Sequence, residues 1–170
     1  MDVLEAIRMK RAVRKFQDKP LPEDVIRTIL NAGRRSQCSK NEQGWQFIAI
    51  RDKAILKALS QTGAYAGHLA GAAVGVAMLS PNPEGKFQDL FDVGQAAAYM
   101  QLAAWELGVG SCIASIYEPD KARAILKFPP EWHLNIALSF GYPLEPEKLT
   151  APPKKGGRKA LEEFVHWDQW

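Results

Sequence analysis

The sequence predicts a single domain that mixes helices with strands, and three observations predict it. The chain has 170 residues, the size of one domain. Short runs rich in β-branched, aromatic or small apolar residues recur at 45–50, 72–79 and 134–141, with the length and composition of buried strands. Between them lie segments with apolar residues at helical spacing, the longest spanning 88–107. Hydrophobic residues make up 46% of the chain, enough for a substantial core, and charged residues 24%, ordinary for a soluble protein.

Asp2 is placed to cap a first helix that runs to about Met9 and carries Val3, Leu4 and Ile7 on one face. A basic run follows, Lys10-Arg11-Ala12-Val13-Arg14-Lys15, and Pro20-Leu21-Pro22 then breaks the chain. Pro22 with Glu23 and Asp24 opens a second helix, the acids lying at the positive end of its dipole. Its apolar face is Val25, Ile26, Ile29 and Leu30, and it ends near Gly33. A polar loop over 35–44 leads into the strand Trp45–Ile50, and a short helix follows from Asp52 to Leu59. Residues 72–79 read as a buried strand of small side chains, and Ser80–Gly85 as a turn cluster. The helix Gln88–Leu107 has almost no polar face. It is expected to be buried on all sides, centrally or against another subunit, until Gly108 stops it. Residues 109–116 form a strand or loop of small residues, where a ligand can approach the backbone. A short helix at 119–126 and the strand 134–141 complete the body. Residues 143–153 carry four prolines and read as an extended connector. The tail 161–170 is aromatic for a chain end and needs a surface to cover, most economically on a partner subunit.

Composition excludes several classes. The net charge of +3 is mild, and no basic stripe interleaved with aromatics suggests nucleic acid. Cys38 and Cys112 are the only cysteines; they make no disulfide framework and read as reduced thiols of a cytoplasmic protein. The first residues include Asp2 and Glu5 and no apolar run, so no secretory leader is expected. The longest nearly unbroken apolar stretch, Leu69–Leu79, is 11 residues, too short to span a bilayer.

The chemistry-bearing residues point to an anion. Lys10, Arg11 and Arg14 can converge on one phosphate, which the planar arginine fork binds bidentately. Alone, such a run reads as solvated surface. A second cluster, Lys154-Lys155-Gly156-Gly157-Arg158-Lys159, stands at the other end of the chain, as a phosphate held between two distant segments requires. Ser39, Asn41 and Gln43 supply amides and a hydroxyl suited to the edge of a heterocycle, or else a turn and strand cap. There is no G-x-S-x-G elbow, no phosphate-binding glycine loop of the G-x-x-x-x-G-K type, no G-x-G-x-x-G, and no pair with metal-ligand spacing. His68, His133 and His166 are scattered and read as structural or surface residues.

Four motifs in order carry a family resemblance. A family pattern R-R-S-x-R matches Lys10-Arg11-Ala12-Val13-Arg14, and N-x-Q-P-W matches Asn41-Glu42-Gln43-Gly44-Trp45. A long helix ending in a G-x-G turn matches Asp92 to Gly110, and R-K-P-L-E-E-x-V-x-W matches Arg158 to Trp167. The chain resembles the nitroreductase family of flavin-dependent oxidoreductases from end to end. The resemblance implies an α+β three-layer sandwich, a central mostly antiparallel sheet flanked by helices, in one domain over 1–170. It implies a homodimer in which residues 143–170 extend onto the partner.

The resemblance further implies bound FMN, with NADH or NADPH as reductant and a small-molecule electron acceptor such as a nitroaromatic or quinone. By position, Lys10, Arg11, Ala12, Arg14, Arg158 and Lys159 would serve the phosphate and flavin, with Arg14 near the pyrimidine edge. Cys38, Ser39 and Asn41 would come from the other subunit. Ile113, Ala114 and Ser115 would lie along the ring, with a backbone N–H near flavin N5. No catalytic side chain, metal, nucleic acid or membrane is expected. Two other readings remain: a flavin-binding storage or sensing protein without efficient turnover, and a small anionic-ligand or nucleic-acid binder without flavin. Ala12 stands where the family carries a hydroxyl, Lys10 where it carries arginine, and Gln37 and Gly44 where prolines are common.

Overall fold

The computed structural model describes residues 2–81, 87–150 and 157–170. Helix α1 covers Val3–Met9, and the Asp2 carboxylate accepts the Leu4 N–H at 3.0 Å as its cap. Helix α2 covers Glu23–Arg34, with both acids in its first turn. Strand β1 is Gln46–Ile50 and helix α3 is Lys53–Leu59, capped by Asp52 accepting the Ala54 and Ile55 N–H groups. A 3-10 segment, Ala66–Gly71, precedes strand β2, Val74–Pro81. Helix α4 is Phe87–Glu106, strand β3 Gly110–Ser115, helix α5 Pro119–Leu126 and strand β4 Trp132–Gly141. Gly108 takes φ +71° just past α4, the left-handed stop that glycine adopts without steric cost. The ambiguous 109–116 segment is therefore a strand.

The four strands form one antiparallel sheet in the order β1-β2-β4-β3. Side chains alternate across it. Val74, Val76 and Met78 of β2 join α2 and α4 in one core, through Ile26, Ile29, Ala97 and Met100. Ala77 and Leu79 join a second core with α3, the 3-10 segment and α5, through Leu56, Leu59, Leu69 and Ala122. A register shift opposite Met78 and Leu79 skips Asn135, so Leu134 and Ala137 of β4 share the second core. The result is an α+β three-layer sandwich.

Three expectations change. Helix α4 is not covered on all sides within the chain. Its inner side packs Val93, Ala96, Ala97, Met100 and Ala104, while Phe87, Leu90, Phe91, Tyr99 and Leu107 are exposed. One sheet, α2 and the short α1 cover only part of a cylinder. The proline-rich connector is not wholly extended, because Glu147–Thr150 makes one turn of helix, α6. Strand bounds also shift, β4 starting two residues early at Trp132 and β2 two residues late at Val74. Asn82–Gly85 of the expected turn, residues 151–153 of the connector and Lys154–Gly156 of the second basic cluster lie outside the described residues.

Candidate functional site

The basic run is laid along the sheet edge by backbone bonds. The Val13 N–H donates to the Ser111 carbonyl of β3 at 2.9 Å, making a parallel bridge between Ala12 and Ser111. The Leu144 N–H donates to Lys15 at 3.0 Å and the Gln17 N–H to Tyr142 at 2.8 Å, tying the run to the segment that follows β4. Gly110 allows this approach, since a Cβ there would lie 2.7 Å from Val13 side-chain carbons. Arg11, Ala12, Arg14 and Lys15 therefore line a cleft of about 220 Å³ with Leu144 and Glu145.

Beyond Ser111 the outer edge of β3 faces away from β4. Backbone groups alternate along a strand, so those of Ile113 and Ser115 point to the same side as the Ser111 carbonyl. Ile113 is 45% exposed and Ser115 is exposed, whereas Ala114 is buried at 1%. Ala114 thus packs its methyl into the second core, and only its neighbours offer side chains outward.

Lys10, Arg14, His68 and Cys112 form one electrostatic group behind this edge. Burial pushes the Lys10 ammonium below the ordinary lysine range, with the nearby Cys112 thiol opposing. Burial pushes the Cys112 thiol up, against the pull of Arg14 and Lys10, and its Sγ donates to the Ile113 carbonyl at 3.5 Å. Cys112 is thus held as a thiol, not a nucleophile. Burial also pulls His68 below the usual histidine value, Arg14 adding to this while the Ile113 backbone opposes. His68 Nδ1 meets the Ser139 hydroxyl at 2.8 Å, and Ser139 is fully buried.

The polar loop lies on the other side of the sandwich. Cys38 and Ser39 are half-buried, Asn41 and Gln43 exposed. The Ser39 N–H donates to Asp92 of α4 at 2.9 Å, and the Gln43 N–H to Cys38 Sγ at 3.3 Å. Lys40, Asn41 and Gln43 take φ of 50°, 57° and 52°. Arg158 and Lys159 stand exposed on the tail, where Lys159 pairs with Glu163 at 3.6 Å. Within one chain, then, Lys10, Arg11, Ala12, Arg14, Ile113 and Ser115 share an edge, and the loop and tail residues are elsewhere. Sequence reasoning set His68 aside as structural or surface, named Asp92 only as the start of a helix motif, and placed Ser139 only within a strand. For Asp92 a signal existed, since it is the acid inside the most apolar stretch of α4. A larger cleft, about 670 Å³, is separate again, between α2 and β1, and is lined by Arg27, Arg34, Trp45 and Phe47 among others.

The chain is a layered α+β sandwich with a cationic strand edge, and comparison with known proteins narrows it. The nitroreductase family model matches residues 7–64 and 60–142, and the chain belongs to the nitroreductase family. A Methanothermobacter thermautotrophicus protein assigned as an NADH dehydrogenase/NAD(P)H nitroreductase is 28% identical, covering 100% of this chain and 88% of that relative. A Staphylococcus aureus NADPH-dependent oxidoreductase is 25% identical over 89% of this chain and 69% of its own length. The solved FMN-dependent nitroreductase of Clostridium difficile R20291 superposes with a TM-score of 0.85 at 25% identity, covering 99% of this chain and 100% of that one. The chain is a nitroreductase-like oxidoreductase.

Proposed function

We propose that this protein is an FMN-dependent oxidoreductase, working as a cytoplasmic homodimer, with NADH or NADPH as reductant and a nitroaromatic or quinone as acceptor. The observation that carries the reading is the cationic run bonded along the outer edge of β3. The chemistry of that donor set fits a phosphate ester. Arg11, Arg14 and Lys15 line the cleft against one carboxylate, Glu145, and the partly desolvated Lys10 gains most from an anionic neighbour. The edge beyond it fits a flat heterocycle, because the backbone N–H groups of Ile113 and Ser115 point outward there, away from β4.

When bound, FMN would supply N5 as the atom that takes a hydride from the nicotinamide and passes it to the acceptor. The chain's own residues bind and orient. Lys10, Arg11 and Arg14 hold negative charge, and Arg14 keeps its proton whatever its environment. Ala12 contributes only its backbone. Ile113 and Ser115 offer main-chain groups to the ring edge, with Ala114 fixing the strand between them. Cys38, Ser39 and Asn41 of a second copy would complete the site, and Arg158 and Lys159 would reach the phosphate from the tail.

Three surfaces support the dimer. Helix α4 exposes an apolar row, Val3, Leu4 and Ile7 of α1 are exposed beside it, and every described tail residue except Val165 is exposed. The free edge of β1 and its cationic, aromatic cleft suit an acidic, aromatic strand such as a second copy's tail, which carries Glu162, Glu163 and Asp168. Residues 1–170 then form one domain whose last segment belongs to its partner's surface. Among the described residues no helix is long and apolar enough to cross a membrane.

The test is to release and identify the cofactor of the purified protein, then follow its anaerobic bleaching by NADH and by NADPH. Yellow protein that releases FMN and is bleached in seconds is expected. Colourless protein that takes up no FMN would overturn the reading. Bound FMN that neither nicotinamide reduces would make this a storage or sensing protein.

A further inference from the structure

We propose that Asp92 is a positioning residue of the flavin site, holding the Cys38–Gln43 loop in its binding shape. The inference rests on the reading that this loop touches FMN. A carboxylate is costly to bury unless it is hydrogen-bonded. Asp92 is 6% exposed, in a helix that otherwise buries Val93, Ala96, Ala97 and Met100 around it. Its Oδ2 accepts the Ser39 N–H at 2.9 Å, and its Oδ1 faces the Gln95 amide at 3.5 Å. A charged acceptor grips a backbone N–H more strongly than a neutral one.

The loop above it needs such a grip. Lys40, Asn41 and Gln43 all take left-handed backbone angles without being glycine. Such residues persist only where the surroundings over-determine them, and they cluster where binding shape matters. Inside the loop, the Glu42 N–H donates to the Ser39 carbonyl at 3.0 Å and the Gln43 N–H to Cys38 Sγ. These bonds close the loop on itself but do not fix it to the body. The Ser39–Asp92 bond does, beside the packing of half-buried Cys38 on the core.

The experiment reads the loop in two ways on the full-length chain. Alkylation by iodoacetamide, resolved by peptide mapping, separates half-buried Cys38 from buried Cys112. FMN affinity is measured by flavin fluorescence quenching. Asp92→Ala should raise the Cys38 rate at least tenfold in flavin-free protein and raise the FMN Kd ten- to hundredfold. Asp92→Asn keeps an acceptor oxygen for the Ser39 N–H and should restore the Cys38 rate to within about threefold of wild type. An unchanged Cys38 rate in Asp92→Ala overturns the proposal, as does a raised rate with unchanged FMN affinity. Should the alanine variant not fold, the wild-type Ser39 amide decides. Hydrogen exchange slowed at least a hundredfold supports the anchor, and exchange at the rate of an open loop overturns it. A wild-type chain that takes up no FMN overturns the functional reading instead, and is recognised separately because thiol reactivity and amide exchange are read without flavin.

Discussion

Deleting Glu163–Trp170 should weaken self-association by two to three orders of magnitude. The segment removes Phe164, Trp167 and Trp170, which are 63%, 83% and 101% exposed in the single chain. Local contacts cover little of them: His166 stacks on Trp170 at 4.1 Å, and the Lys159 ammonium sits 5.9 Å from the Phe164 ring. Each aromatic side chain can bury roughly 150–250 Å². Three of them at about 25 cal/mol per Å² correspond to roughly 11–19 kcal/mol of gross hydrophobic gain. Most of this is offset by ordering the tail and by lost translational freedom, so about 1.5–2 kcal/mol per tail, or about 3–4 kcal/mol for the two tails of a dimer, is a reasonable net contribution. That is a factor of about 10²–10³ in Kd. The exposed face of α4 remains, so the truncated chain should still associate at high concentration. Sedimentation equilibrium across a dilution series measures this directly, with flavin content per chain read from the same samples. The reasoning is refuted if the truncated chain dimerises as tightly as the full one, or if the full chain is monomeric at micromolar concentration.

Two further predictions concern the basic clusters and the buried group behind the cationic edge. Arg14→Ala and Arg158→Ala each remove a charge-assisted bond to the ligand, worth about 1.5–3 kcal/mol, and should each raise the FMN Kd roughly ten- to hundredfold. Unchanged affinity in both, by fluorescence titration, would return the two basic clusters to solvated surface. The second concerns acid stability. His68 is held below its ordinary value of 6.5, chiefly by burial. Below that value the unfolded chain binds a proton the folded chain resists, so stability falls with falling pH until the folded group also titrates. His68→Gln should therefore lose less stability than wild type between pH 7.5 and 5.0. Urea midpoints at the two pH values check it, and equal losses in both proteins would exclude His68 as the source.

The architecture was legible because its signals are local. Asp2 and Asp52 cap helices where a short acid precedes an apolar period, and Pro119 opens α5. Gly108 ends α4 because the left-handed angle there excludes most other residues. Strands β1, β2 and β4 announce themselves by short runs rich in apolar, β-branched and aromatic residues, which in a chain this length are covered from both faces. The basic run and the Asn41–Trp45 loop were also visible, since motif order survives substitutions such as Ala12.

What only the tertiary structure decided is which distant groups meet. Sequence spacing places Ile113, Ala114 and Ser115 together. The strand's alternation separates them, sending Ala114 inward and its neighbours out. Asp92 and Ser39 lie 53 positions apart and His68 and Ser139 lie 71 apart, separations at which no local period carries information. The apolar period of α4 revealed that the helix wants cover on every side. It did not say that the chain itself leaves part of the helix uncovered, because that depends on how many elements the fold can pack around a single helix. The composition of the tail likewise dictates that its aromatic rings need a surface. The fold alone decides that this surface is not on the tail's own described body, because the sheet's two faces are already filled by α2 and α4 on one side and by α3 and α5 on the other.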